Sequence, residues 1–236
     1  MSFISKVKIQ LAEKFPATAQ ASRFIKAWYA ARTPVKISYA QHGEDVIVWN
    51  LLNLHFPCEK YNYIDVGAFH PSSLSNTYLF YRKNITGIVV EPNRELINLH
   101  KKFRPNDLHA EVACSNENKI SPFYFQKTFP ALSSLQQAEQ QKNDNCKYVP
   151  VLTLDTICKS LKIDLVYFLS VDAEGLDFDV LQGAAETLKR TFLICIECNT
   201  DAEENAMKLF FENVGFVPEC KIACNLIFRN EYFKQA

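Results

Sequence analysis

From residue 61 onward, short apolar runs alternate with segments whose apolar positions recur every three to four residues. Residues 61–66, 87–90, 108–114, 165–171 and 192–197 read as strands. Their Val, Ile, Leu, Tyr and Phe are nearly continuous rather than alternating, the pattern of strands covered on both faces. Residues 76–82, 94–103, 178–188 and 202–214 carry helical spacing. Strand and helix in turn predict an α/β fold with a mostly parallel sheet. Residues 216–221 and 223–228 have no helix between them, which predicts an antiparallel C-terminal hairpin at the sheet edge. Another amphipathic helix, with Val48, Leu51 and Leu52, is predicted to start within residues 41–45, where Glu44 and Asp45 suit a first turn. Phe123-Tyr124-Phe125 leads into a long connection whose polar stretch, residues 136–145, reads as a mobile lid or a surface loop.

Ahead of this pattern, Ile4, Val7, Leu11, Ala21, Phe24, Ile25 and Trp28 fall at helical spacing, and Pro16 and Pro34 punctuate two helices. Residues 1–37 are therefore expected to be a basic amphipathic helical appendage to a domain over residues 38–236. Charge sharpens the division. The 236-residue chain has 26 Lys+Arg against 26 Asp+Glu. Its first 40 residues hold seven basic side chains against one acidic, +6, so the remaining 19 basic and 25 acidic give −6. The appendage is expected either to dock on the acidic domain or to touch anionic lipid or a partner enzyme. Overall neutrality argues for no nucleic-acid partner, since phosphate binding usually requires a basic excess. A composition 48% hydrophobic and 22% charged excludes a disordered chain. No apolar run nears the roughly 18 residues that cross a bilayer. Eight cysteines without a signal-peptide pattern are expected to be reduced thiols in a cytoplasmic protein. A zinc site from Cys195, Cys198, Cys220 and Cys224 is the sharper alternative. Against it, residues three apart on a strand point to opposite faces.

Two constellations carry chemistry. Asp65-Val66-Gly67-Ala68-Phe69-His70-Pro71 follows the first strand, and Glu91-Pro92-Asn93 closes the second. In a doubly wound sheet, ligands lie beyond the carboxyl ends of strands, where an acidic residue can accept hydrogen bonds from ribose hydroxyls. A pyrophosphate would require several glycines, and only Gly67 is present. S-adenosylmethionine, a nucleoside with a sulfonium and an amino-acid tail but no phosphate, fits better. Gly67→Val is then expected to fill the nucleoside space while leaving the fold cooperative. The second constellation is Ser170-Val171-Asp172-Ala173-Glu174-Gly175-Leu176-Asp177, with Glu197 and Asn199 closing the next strand. Carboxylates at an apolar strand's mouth are costly unless paired, protonated or used. Capping of the next helix is the plainer account of Asp172 and Glu174.

Together with Gln41-His42-Gly43-Glu44-Asp45, Ser75-Asn76-Thr77-Tyr78, Val112-Ala113-Cys114-Ser115 and Leu154-Asp155, these motifs resemble the FkbM-type S-adenosylmethionine-dependent methyltransferases over about residues 38 to 200. The resemblance implies a Rossmann-like class I methyltransferase fold with a seven-stranded sheet. It further implies methyl transfer to oxygen, often that of a sugar or polyketide hydroxyl. By that resemblance Asp65, Gly67, Ala68, Pro92, Ser115 and Asp172 belong to the cofactor site, Glu91 holds the ribose, and Asn76 and Thr77 lie near the amino-acid end.

A hydroxyl acceptor needs a base. His70 is the natural one by its ordinary pKa, unless it merely bonds its own loop, and Asp172 and Glu174 are rivals. Asp172, Glu174, Glu197 and Asn199 also resemble the magnesium site of catechol-type O-methyltransferases, an arrangement not favoured here, so no metal ligand is assigned. His55, His100 and His109 are expected at the surface. The expected substrate is a small molecule or glycan hydroxyl. An NAD(P)-dependent oxidoreductase on the same fold, and a non-catalytic binding module that retains it, are the alternatives.

Overall fold

The computed structural model describes residues 38–57, 61–125, 134–135 and 146–234. The appendage expected over residues 1–37 and the polar stretch 136–145 lie outside the described residues.

The elements, in chain order, are α1 (Glu44–His55), β1 (Tyr63–Val66), α2 (Tyr78–Arg82), β2 (Ile88–Val90), α3 (Arg94–Phe103), β3 (Leu108–Ala110), β4 (Ala113–Cys114), β5 (Lys119–Tyr124), β6 (Cys146–Leu152), α4 (Leu154–Ser160), β7 (Val166–Val171), α5 (Asp177–Gln182), α6 (Ala185–Leu188), β8 (Thr191–Glu197), α7 (Asp201–Asn213), β9 (Phe216–Ile222) and β10 (Asn225–Asn230). Seven strands form one sheet in the order β3-β2-β1-β7-β8-β10-β9. The first five of these run parallel, and β10 pairs antiparallel with both β8 and β9, so the expected α/β class and terminal hairpin are present.

Burial on both faces explains the unbroken apolar runs. All residues of β1, β2 and β7 are buried. Ile64, Val66, Leu169 and Ile194 pack on one face with Ile157 of α4, Val180 of α5 and Phe211 of α7. On the other face, Tyr63, Phe168 and Leu193 meet Val48 and Leu52 of α1 and Phe80 of α2. Ile97 of α3 packs beside Val89. Cys195 belongs to one of these cores and Cys198 to the other, so their thiols diverge as strand geometry requires. The seven described cysteines are free.

Three expectations change. Residues 108–114 are two strands: β3 continues the large sheet, while β4 joins a separate sheet of order β4-β6-β5. Its strands β5 and β6 escape sequence reading because each contains a proline, Pro122 and Pro150. Pro150 is tolerated because β4 pairs only with Val151 and Leu152, leaving its N side free of any ladder. The helix expected over residues 178–188 breaks at Gly183, where an added Cβ would lie 2.2 Å from the Ser115 carbonyl oxygen.

The chain leaves the sheet after β3 and returns beside β1 as β7. This is the topological switch point, and it leaves the carboxyl ends of β1 and β7 adjacent. Gly67, at φ 75°, closes the seam, and a Cβ there would sit 1.8 Å from the Asp172 carbonyl oxygen. The obstacle is backbone, not ligand space, which corrects the expectation for Gly67→Val. Positive φ and overpacking together should cost about 3 kcal/mol or more, lowering the melting temperature by roughly 6–12 °C. Thermal melting checks this; wild-type melting of Gly67→Val would contradict the close approach.

Candidate functional site

The carboxyl ends of β1, β2, β7 and β8 surround a cavity of about 400 Å³. After β1, the amides of Gly67 and Ala68 donate to the Val90 carbonyl at 3.0 and 3.4 Å, and after β7 the Asp172 amide donates to Val66 at 3.0 Å. These bonds tie three strand ends into one rim. The small sheet supplies the opposite wall through Ala113, Cys114 and Phe123. Burial raises the Cys114 thiol to about 12, so it faces the cavity as a neutral group.

Five carboxyl side chains line the cavity: Asp65, Glu91, Asp172, Glu174 and Glu197. Among the described residues lining it there is no Lys, Arg or His. Glu91 is buried and accepts from the amides of Asn93 at 2.8 Å and Phe69 at 3.3 Å. Burial outweighs those bonds and holds it near 7. Glu174, in left-handed backbone at φ 49°, is also raised to about 7, by desolvation and then by Glu197 and Asp177. Asp172 opens into the cavity, yet protein surrounds it closely enough to push it well above the carboxylate range. Desolvation leads there, with Glu197, Asp177, Glu174 and Asp65 adding repulsion. Asp177 caps the loop by accepting from the Ala173 amide at 2.9 Å, the capping role considered for its neighbours.

Of the residues expected in the cofactor site, Asp65, Gly67, Ala68, Asn76, Glu91, Pro92 and Asp172 line the cavity. Thr77 does not. It is fully buried behind Asp65 and donates its hydroxyl to that carboxylate. Ser115 is also absent from the lining, being buried where the backbone packs against Gly183. Among the catalytic candidates, Asp172 and Glu174 meet at the cavity, and His70 stays outside its lining. The His70 Nδ1 instead accepts from the amides of Ser72 and Ser73 at 3.2 and 3.1 Å, the loop-bonding alternative. Among the described residues no group of three or more His, Cys, Asp or Glu is disposed to hold a metal ion.

Of the segment Gln41–Asp45, which the resemblance puts at the substrate or cofactor mouth, Gln41 lines the cavity, whereas Glu44 and Asp45 are buried beyond Gly43, at φ 98°. Glu44 accepts from Asn225 Nδ2 at 2.7 Å and from the His42 amide, and Asp45 from Ser38 and the Tyr39 amide. Those carboxylates thus hold the segment and do not face ligand. His100, expected at the surface, is buried beneath the Ala68-Phe69 turn. Burial and Arg104 push it down to about 4, so its neutral Nε2 donates to both carbonyls. No signal in the sequence distinguishes it from an exposed helical histidine. Ser134 donates its hydroxyl to the Glu174 carbonyl at 3.1 Å, fastening the loop after β7.

The family model for the methyltransferase FkbM domain matches residues 65–219. None of the curated proteins matches the chain. Among solved structures, the chain is similar to a Pyrococcus horikoshii protein assigned as an RNA methyltransferase, PH1948, at 12% identity over 86% of this chain and 97% of that one, with a TM-score of 0.45. It is similar to a TehB-like S-adenosylmethionine-dependent methyltransferase from Corynebacterium glutamicum at 10% identity, covering 91% and 100% of the two chains with a TM-score of 0.38. It is also similar to the hMettl16 catalytic domain in complex with the MAT2A 3′UTR hairpin 6, at 8% identity, 86% and 75% coverage and a TM-score of 0.42. The expectation that nucleic acid is no partner is corrected here. One of these proteins is named as an RNA methyltransferase and another was solved with RNA. Among the described residues no helix is long and apolar enough to cross a membrane.

The raised carboxyls have a consequence for stability. Glu91 moves from an ordinary 4.5 to about 7 on folding, so the folded state holds an extra proton between those values. Its contribution is complete below pH 4.5, declines through the window and is gone above 7. Relative to Glu91→Gln, the wild-type protein should therefore lose about 3 kcal/mol as pH rises from 4 to 8. Denaturant unfolding at a series of pH values checks this. A constant difference would show that Glu91 keeps its ordinary pKa.

Proposed function

We propose that this chain, which belongs to the FkbM methyltransferase family, transfers a methyl group from S-adenosylmethionine to the hydroxyl oxygen of a sugar, glycan or related metabolite. The observation that carries the reading is the cavity lining: five carboxyl groups and, among the described residues, no cationic side chain. Such a lining repels a pyrophosphate and attracts a cation. It therefore suits a sulfonium nucleoside and disfavours the nicotinamide alternative.

The residues present fit that cofactor. Each Glu91 oxygen accepts one backbone amide and keeps a lone pair for a ribose hydroxyl. Asp65 offers a carboxylate to an α-ammonium group, and Asn76, whose Nδ2 donates to Ser170 Oγ at 3.1 Å and to Cys195 Sγ at 4.0 Å, adds its Oδ1 as a further acceptor for that group. Asp172 would turn a carboxyl group toward the cation, whose charge would favour its ionised form. Bound there, S-adenosylmethionine supplies an electrophilic methyl group on a good leaving group.

What remains for the protein is to align the acceptor and take its proton. We assign the base to Glu174, because it lines the cavity and titrates near neutrality, whereas His70 Nδ1 is occupied by its own loop. The Glu174 carboxylate would accept the proton of the acceptor hydroxyl, leaving its oxygen as the nucleophile for the methyl group that S-adenosylmethionine would supply. Ionisation of Glu174 is favoured further by a cation alongside. Gln41, Glu197 and Asn199, also in the cavity lining, bring a carboxylate and two carboxamides that suit a polyhydroxyl acceptor.

Incubation with methyl-labelled S-adenosylmethionine and a panel of sugars, glycans and RNA tests the reading, with the methylated atom located by mass spectrometry. Label on a carbohydrate oxygen is the expected result; label on RNA or on nitrogen would contradict it. With the acceptor in hand, Glu174→Gln should lower kcat by about 10²-fold or more with little change in cofactor affinity. Wild-type kcat/KM should rise with pH through about 7, and kcat at a lower pH because the bound cation favours ionisation. An unchanged kcat in Glu174→Gln would remove Glu174 from the role of base.

A further inference from the structure

Arg104 caps the C-terminus of α3 and is the largest fully buried side chain among the described residues. Its Nε donates to Asp107 Oδ2 at 2.7 Å. Its Nη2 donates to Tyr63 Oη at 2.8 Å and to Thr77 Oγ1 at 2.9 Å. Its Nη1 lies 3.9 Å from Asp65 Oδ2 and 3.5 Å from both Ser75 Oγ and the Pro71 carbonyl oxygen. Tyr63 passes its own proton toward Asp107 at 2.7 Å, and Thr77 donates to Asp65.

A buried ion pair of this kind rarely adds net stability, because desolvation offsets the attraction. What the arrangement fixes is orientation. One planar fork holds the end of β1, through Asp65, and the segment from Pro71 to Thr77 that precedes α2. Asp65, Ser75 and Asn76 are the polar parts of these two segments that reach the cavity. Their carboxylate, hydroxyl and carboxamide are complementary to an ammonium and a carboxylate on one carbon.

Resting on the S-adenosylmethionine reading above, the geometry points to Arg104 as a positioning residue that acts through Thr77 and Asp65 to shape the subsite for the cofactor's amino-acid end. Arg104 does not touch the cavity itself. Thr77 is the relay: its hydroxyl accepts from the guanidinium and orients the Asp65 oxygen, leaving the other oxygen for the ligand.

Calorimetric titration with two ligands, S-adenosylhomocysteine and 5′-methylthioadenosine, tests this, because the second keeps the nucleoside and lacks the amino-acid tail. Thr77→Val, of nearly the same volume, should weaken S-adenosylhomocysteine about tenfold and change methylthioadenosine less than about twofold. Thr77→Ser, which restores the hydroxyl, should bind both as the wild type does. Arg104→Met should show the same selective loss if it folds, and Thr77→Val carries the test if it does not. Equal weakening of both ligands, or no weakening of either, would overturn the assignment of Arg104. Failure of the wild-type protein to bind either ligand would overturn the cofactor reading instead.

Discussion

Four strand ends share one edge of the sheet, and the chain must place carboxylates there without water enough to solvate them. This crowding follows from topology. Parallel pairing of β2, β1, β7 and β8 aligns their carboxyl termini, and the bare backbone of Gly67 lets the β1 turn press against the carbonyl of Asp172. Asp65, Glu91, Asp172 and Glu174 are all raised as a result. A site holding protons that a cation would displace is poised for a positively charged ligand, and the cost of its desolvation is met by the cores on either face of the sheet.

Much of this was legible in the sequence because double burial leaves a plain mark. Unbroken apolar runs at β1, β7 and β8 could only be strands covered on both sides, and the absence of a helix between β9 and β10 required an antiparallel return. The small sheet was not legible. Its prolines at 122 and 150 speak against strands in general; Pro122 is tolerated on the edge strand β5, and Pro150 because β4 is short. Gly183 broke a helix whose spacing looked continuous, since the cause, a close approach to Ser115, lies 68 residues away along the chain.

The site was legible as a set of strand-end motifs, less so as individual roles. Asp65, Glu91 and Asp172 reach the cavity because they close buried strands, a position that sequence marks. Thr77 and Ser115 carry the same motifs but point behind the wall, since side-chain direction past a strand end depends on the loop. Arg104 left no trace at all. In a run of Lys101, Lys102, Phe103 and Arg104, nothing distinguishes the one cation that is fully buried, because its partners Tyr63 and Asp65 are about 40 residues away. His70 looked like a base for its chemistry, while its loop turns its Nδ1 onto backbone amides.

The zero net charge of the chain hides an uneven distribution, and it is the local field in the cavity, not the sum, that selects a ligand. Calorimetric titration of the full chain with S-adenosylmethionine and, in parallel, with NADH tests that claim most directly. The account predicts saturable binding of S-adenosylmethionine that weakens as pH falls from 8 to 5 and the carboxyls take up protons, with no binding of NADH. Saturable binding of NADH, or S-adenosylmethionine affinity that strengthens on acidification, would contradict it.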